Sequence, residues 1–394
     1  MYPTLYHAFL DLFGLDWPWM KLLNSFGFFV AIAFIIASMT ISIELKRKEK
    51  LGLLHPEKRK HIEGKPVQWS DVLTNALIGF LLGWKFIWLM MNADELFKPG
   101  SLPQQHIFSG QGNWLLGIVL ALALGGWRWY DYYRKQLPKP VERIVDFHPY
   151  EYTGSITFVA AIGGILGAKI FAWLEDPKGI IDSFTNFTIE DFLSGLTVYG
   201  GLIIGGALVL LYAKKIKMPL LHLMDSCAPG MMLGYGIGRM GCQVSGDGDW
   251  GIDNTSPKPD WLSWLPDSWW AYDYPNNVNG VGEKMIEGGW EGYGTHLVPP
   301  VFPTPVYEII MAFIIFGVLW YLRKRISTPG VIFGIYMILC GTERFFIEKI
   351  RVNTEMIFLG MKYTQAELIS VLFVITGLIM IWWVRRRAAV GSRH

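Results

Sequence analysis

Nine stretches of this chain, near residues 22–43, 72–91, 113–130, 154–174, 197–213, 224–243, 304–322, 329–347 and 366–384, are apolar over close to the ~20 residues that cross a bilayer as a helix. Within hydrocarbon the backbone has no water to bond to, so a long uninterrupted run must satisfy itself as helix. No polar linker rich in Pro, Gly or Ser divides the 394 residues. Charged residues make up 17% of the chain, against roughly a quarter in a soluble domain. These observations exclude a soluble enzyme, a secreted disulfide scaffold and a disordered chain. They predict an all-α polytopic integral membrane protein, one membrane domain over residues 1–394 with about nine transmembrane helices.

Lys and Arg concentrate in cytoplasmic loops, so their distribution orients the runs. Arg128, at the end of the third run, is taken with the loop that follows it. The loops after runs 1, 3, 5 and 7 and the C-terminal tail then hold 23 Lys/Arg, the N-terminus and the remaining loops 8. The alternation never breaks, which predicts an outside N-terminus and a cytoplasmic C-terminus. Residues 46–65, rich in Lys and Arg, are expected to be a basic cytoplasmic anchor. The net charge of +2 gives no sign of a nucleic-acid partner. Cys227, Cys242 and Cys340 lie in apolar runs and cannot form a disulfide framework. No signal peptide is expected, because the first run lacks a basic n-region and a small-residue cleavage site.

The four remaining basic residues, Lys85, Lys169, Arg239 and Arg344, sit inside apolar runs. A cation at mid-bilayer costs about 2.5–3.5 kcal/mol on insertion scales, so such residues tend to be paired or functional. Lys85 and Lys169 belong to a repeat: residues 76–90 align without gaps on 160–174, with Ala76, Ile78, Gly79, Leu82, Gly83 and Lys85 matching Ala160, Ile162, Gly163, Leu166, Gly167 and Lys169. The orientation places Lys169, Tyr199, Arg239, Tyr307, Glu308, Arg344 and Glu348, from five runs, in one outer-leaflet layer. Arginine forks match phosphate geometry, so this convergence points to a polar site for an anionic ligand. Such charges would also suit a transporter or flippase for an anionic solute or lipid. A transporter, however, should carry its polar groups at the midplane with access from both sides.

Around Arg239 the chain reads GYGIGRMGCQVSGDGDWG, residues 234–251. Glycine at this density weakens a plain helix and allows backbone N–H groups to approach a phosphate. In GTERFFIEKIR, residues 341–351, Arg344, Glu348 and Arg351 fall on one helical face, where Glu348 is expected to hold both arginines. The histidines are dispersed without metal-ligand spacing, and neither a nucleophile elbow nor a P-loop is present.

These residues resemble the prolipoprotein diacylglyceryl transferase family. GRMGC at 238–242 with GDGDWG at 246–251 is similar to its Gly-Arg-x-Gly signature followed by a Gly-acid pair and Trp-Gly. YGGLIIGG at 199–206, FPTPVYE at 302–308, RFFIEKIR at 344–351 and GGILGAKI at 163–170 agree with further family stretches in the right order. The resemblance covers about 10–45 weakly and 155–385 well. The family usually has seven spans, so residues 45–150 look like an added helical pair. The family's histidine is Tyr199 here, its asparagine after Arg-x-Gly is Cys242, and a second histidine is Phe302. One extra residue separates Arg239 from Gly251.

The resemblance implies transfer of the diacylglyceryl group of phosphatidylglycerol to the lipobox cysteine of a prolipoprotein signal peptide, with glycerol phosphate leaving. It implies the bacterial cytoplasmic (inner) membrane, membrane lipids as surroundings, and no metal or other cofactor. Arg239, Arg344, Tyr199, Asp247 and Glu348 become the expected catalytic residues. Gly200, Gly201, Gly238, Gly241, Cys242, Gly246, Gly251, Tyr307, Glu308, Arg351 and Lys169 become the expected substrate-binding set. A free thiol has a pKa of ~8.5, so only modest base help is needed. Asp247, Glu348 or water could supply it, and Asp247 is preferred because Glu348 is committed to arginine. Tyr199 is expected to donate a hydrogen bond to the lipid headgroup. The aromatic-rich segment 252–303 is expected to be a periplasmic head insert covering the site. The charge pattern predicts that outside cysteine labelling reaches positions within 252–303 and none within 46–65. Labelling of both segments from one side would contradict that orientation.

Overall fold

The computed structural model describes residues 1–96, 106–107, 109–175, 197–353, 356–358 and 361–391. The loop 176–196, expected outside, lies beyond the described residues. Every apolar run is helical. The order is α1 (Leu5–Phe13), α2 (Ser25–Lys50), α3 (Trp69–Met91), α4 (Trp114–Lys135), α5 (Thr153–Glu175), α6 (Val198–Lys215), α7 (Leu220–Ser245), α8 (Thr304–Leu322), α9 (Val331–Glu348) and α10 (Gln365–Gly391). Among the described residues, α2 to α10 each have at least 18 residues. Five helices (α2, α3, α5 with the turn before it, α8 and α10) are long and apolar enough to cross a membrane on length and composition. In α7 and α9 the apolar pattern is diluted by Asp225, Arg239, Glu343, Arg344 and Glu348. The amphipathic α1, too short to span, has no counterpart in the sequence reading.

The chain is not purely helical. β1 (Glu57–Glu63) pairs antiparallel with β2 (Val141–Phe147), Glu57 opposite Phe147 and Glu63 opposite Val141. Part of the expected basic anchor is therefore a ribbon that closes the α3–α4 hairpin at its open end. Two shorter ribbons pair 283–284 with 295–296 and 356–358 with 361–363.

The repeat is explained by packing. It forms the first helix of two like hairpins, α3–α4 and α5–α6, whose axes approach because glycines face the partner backbone. A Cβ on Gly79 would lie 2.4 Å from the Leu120 carbonyl oxygen, and one on Gly83 2.2 Å from that of Leu116. In the second hairpin a Cβ on Gly167 would lie 2.4 Å from the Gly200 carbonyl. Lys85 sits in a π-helical turn, Leu82–Ile87, and its ammonium donates to the Ser109 carbonyl (2.7 Å), the Ser109 hydroxyl (2.9 Å) and the Gln111 carbonyl (2.8 Å). It closes the hairpin loop, so the first copy of the repeated lysine is structural. Lys169 is buried on α5, its ammonium 5.7 Å from the centre of the Trp173 ring.

α7 is the hub of the bundle, packed on α2 and α8. At one end, Glu44 of α2 is buried with Arg323 after α8 (2.5 Å) and Arg47. Asp225 of α7 accepts from the backbone N–H groups of Gly330 (2.7 Å) and Phe333 (2.9 Å), capping α9 from a neighbouring helix. With that end locked, the C-termini of α7 and α9 and the N-terminus of α8 meet at the other. A matched pair of glycines tests the hairpin packing. Gly167→Ala should lower the melting temperature in detergent, at an overpacking cost of about 1–3 kcal/mol. Gly206→Ala, whose Cβ meets open space, should leave it unchanged, and equal effects would contradict the packing.

Candidate functional site

Where those three helix ends meet, one carboxylate organises three guanidinium groups. Glu308, in the second turn of α8, is fully buried. Its Oε2 lies 3.1 Å from Arg239 Nε, and its Oε1 lies 3.3 Å from Arg344 Nη1 and 3.6 Å from Arg351 Nη1. Tyr235, one turn before Arg239, donates its hydroxyl to Glu308 Oε1 at 2.9 Å and places its ring under the Arg239 guanidinium. Asp249 bonds Arg239 on one oxygen and Arg351 on the other. Glu348 pairs with Arg344 at 3.0 Å and accepts from Thr364 Oγ1 at 2.7 Å and from Asn353. Three arginines thus balance three carboxylates.

The segment after α7 sets this geometry. Gly246 ends the helix at φ +63, a left-handed turn that favours glycine. The chain then crosses to Gly251, whose N–H donates to the Phe302 carbonyl (2.8 Å) and which bridges to Arg351. A Cβ on Gly251 would lie 2.4 Å from the Ile350 carbonyl, so glycine lets the Arg351 strand close in. Thr304 Oγ1 donates to the Asp249 carbonyl at 2.7 Å.

The two aspartates of this segment are driven apart. Burial raises the Asp247 pKa, and the negative charge of Asp249 raises it further. Burial alone would raise Asp249 as well, but Arg239 and Arg351 overcome it and hold its carboxyl at about 2. One stays ionised as the counter-ion of two arginines. The other is a carboxyl of enhanced basicity beside the Cys242 thiol. Neighbouring acids separated in this way are a common acid–base arrangement.

Several expected site residues stand elsewhere than the sequence reading put them. The 234–245 segment is continuous helix, so its glycines do not present a cradle of N–H groups. Instead a Cβ on Gly241 would lie 3.0 Å from Phe29 of α2, and one on Gly236 3.1 Å from Ala312 of α8. Gly238 faces open space. Gly200 and Gly201 face the α5 backbone, which makes them helix contacts. Glu348 holds Arg344, while Arg351 turns to Asp249 and Glu308. Tyr307 donates to the Trp269 carbonyl at 2.8 Å, tying the head segment to α8. Tyr199, at the start of α6, lies within electrostatic range of Arg344. Cys242 accepts from Arg239 Nη1 at 3.6 Å.

Tyr235, Asp249 and Thr304 were missed as site residues. The i, i+4 spacing of Tyr235 and Arg239 was a usable signal; nothing in the sequence separates the two aspartates. Cys242, Asp247 and Asp249 also bring ligand-type atoms within 4.8 Å of one another, a cluster the sequence spacing did not suggest. The two guanidinium groups on Asp249 oppose a cation there. In the head segment, Tyr272 and Tyr274 pack with Trp250 as an interior, whereas Trp261 and Trp264 are exposed. Beneath the head lies an apolar recess of about 330 Å³ between Leu262, Trp269, Trp270, Phe302 and Ile350.

A model of the prolipoprotein diacylglyceryl transferase family matches residues 113–383. Among curated proteins, the chain is similar to phosphatidylglycerol–prolipoprotein diacylglyceryl transferases of three bacteria. That of Clostridium tetani is 28% identical over 50% of this chain and 67% of the relative. That of Symbiobacterium thermophilum is 25% identical over 69% and 88%. That of Clostridium botulinum (strain Langeland) is 29% identical over 59% and 80%.

The fully buried hub carries its own prediction. Glu308→Ala leaves three guanidinium groups without their shared partner, and breaking a buried pair costs about 3–5 kcal/mol. The variant should lose most of its thermal stability in detergent, and wild-type melting would contradict the hub role.

Proposed function

The chain belongs to the prolipoprotein diacylglyceryl transferase family, and from that premise we infer that it transfers the diacylglyceryl group of phosphatidylglycerol to a prolipoprotein. The observation that carries the reading is the cluster of three arginines held at one end of the bundle by a sealed carboxylate. An embedded phosphate site needs fixed cationic forks that do not drive one another apart, and Glu308 supplies the fixing. We further propose the lipobox cysteine as acceptor, the bacterial inner membrane as location, and nine spans with the N-terminus outside. The charge asymmetry supports that topology.

The acceptor sulfur attacks the glyceryl carbon that carries the phosphate. A sulfur–carbon bond forms, the carbon–oxygen bond breaks, and glycerol phosphate leaves with the electron pair. Arg239 and Arg344 bind the phosphate and stabilise the charge that grows on it, electrostatic help of ~3–4 kcal/mol per preorganised donor. The thiol proton goes to Asp247, whose burial makes it a stronger base than an ordinary carboxylate. Tyr199 donates a hydrogen bond to the headgroup. The head over 252–303 covers the site, and residues 45–150 form an accessory helical pair outside the reaction centre. The Glu44–Arg323 lock at the opposite end supports an enzyme over a transporter, because it holds closed the end through which a transported solute would leave.

Arg239→Ala and Arg344→Ala should each abolish transfer, by about 10²–10³-fold or more, in protein that remains folded. Lysine keeps the charge without the bidentate fork and should recover little. Full activity in either alanine variant removes that arginine from the mechanism. Asp247→Asn should cost more at pH 7 than at pH 9, where the substrate thiol, pKa ~8.5, ionises unaided. Tyr199→Phe should lower the rate at every pH. Rescue of Tyr199→Phe alone by high pH would transfer the base role to tyrosine.

A further inference from the structure

Glu308 and Asp249 both neutralise the arginines, yet they differ in access. Glu308 is sealed, with 0% of its side chain exposed, whereas 34% of the Asp249 side chain is exposed. The arginines are 12–24% exposed, so an arriving anion meets them where Asp249 already lies. Asp249 spans Arg239 and Arg351 with its two oxygens, the arrangement by which two phosphate oxygens would be held. It rides on a short segment between two glycines, Gly248 (φ +95) and Gly251, rather than on a helix. Its backbone carbonyl is tethered by Thr304.

We propose that Asp249 is a displaceable internal anion that occupies the phosphate position between Arg239 and Arg351, yields it to the lipid phosphate, and reclaims it as the product leaves. Charge supports the exchange. A phosphodiester carries one negative charge, as does Asp249, so the three arginines stay balanced when one replaces the other. The released glycerol phosphate is a monoester carrying about −1.5 to −2 at neutral pH. It overfills the balance if Asp249 returns, and that repulsion favours product release. The permanent partner, Glu308, keeps the forks aimed throughout. Asp249 is thus a positioning residue that sets how tightly phosphate is held. The proposal rests on the transferase reading for the identity of the lipid, but the anion exchange itself is testable without turnover.

The test is calorimetric titration of the purified full chain, in nanodiscs free of phosphatidylglycerol, with inorganic phosphate and separately with glycerol phosphate. A second arm counts bound phosphatidylglycerol by native mass spectrometry. Asp249→Asn removes the competing anion and should tighten phosphate binding about tenfold, with glycerol phosphate becoming a stronger product inhibitor. Thr304→Val, which loosens the tether without changing charge, should tighten binding in the same direction by a smaller factor. Asp247→Asn, removing a neighbouring charge that bridges no arginine, should tighten it least. Tightening for free phosphate alone assigns the site to soluble anions and overturns the exchange with lipid. Unchanged or weaker binding in Asp249→Asn overturns the proposal, as does equal tightening by Asp247→Asn. If Asp249→Asn does not fold, Thr304→Val decides: tighter binding supports the exchange and unchanged binding overturns it. Absence of diacylglyceryl transfer by the wild type, with these affinities behaving as expected, would sink the transferase reading and leave the exchange standing.

Discussion

Three guanidinium groups packed together in a low-dielectric bundle repel one another, and the structure tolerates them because a single sealed carboxylate lies between them. Glu308 touches Arg239, Arg344 and Arg351, which come from α7, α9 and the strand beyond α9. The rest of the polar end follows from that interaction. Tyr235 fills the remaining bonding capacity of the carboxylate, Glu348 steadies Arg344 from the same helix, and Gly251 lets the Arg351 strand approach. A buried ion cluster contributes little net stability against its desolvation. Its retention is understood as preorganisation: the cost is met on folding, so the forks need not rearrange when a phosphate arrives.

The two ends of the bundle divide the work. At one, Glu44, Arg47, Arg323 and the Asp225 cap fix α2, α7, α8 and α9 relative to each other. At the other, the same helices present charged groups around a partly exposed centre, next to a segment whose own interior is aromatic. The hairpins α3–α4 and α5–α6 stand beside this frame and are held by glycine contacts along their lengths.

Much of this was legible in the sequence, for definite reasons. Apolar runs of bilayer length leave the backbone no choice but helix, so each run became one. Charge alternation along the loops put Lys169, Tyr199, Arg239, Tyr307, Glu308, Arg344 and Glu348 in one expected layer, and of these Arg239, Glu308, Arg344 and Glu348 are joined by ion pairs. What the sequence could not carry was azimuth. Helical spacing puts Glu348 and Arg351 on one face of α9 but does not reveal that α9 ends at Glu348, which frees Arg351 to reach Asp249 instead. The glycines around Arg239 read as a segment that lets backbone N–H groups approach a phosphate, because the sequence does not show which helices pack against them. Only the continuation of α7 to Ser245 decides for contacts. Asp247 and Asp249 are indistinguishable by type and differ by two positions, and both lie near the Cys242 thiol, yet only Asp249 reaches the two arginines. The ribbon of β1 and β2 was hidden because its strands are charged and separated by a whole hairpin.

The central claim is that the arginine cluster cleaves a lipid at its glyceryl–phosphate bond and passes the apolar part to a thiol. Mass spectrometry of a lipobox peptide after incubation with the purified chain and phosphatidylglycerol tests it most directly. The account predicts that the peptide cysteine gains one diacylglyceryl group, free of phosphorus, and that one glycerol phosphate is released for each peptide modified. A peptide of unchanged mass, or one that retains phosphorus, would contradict it.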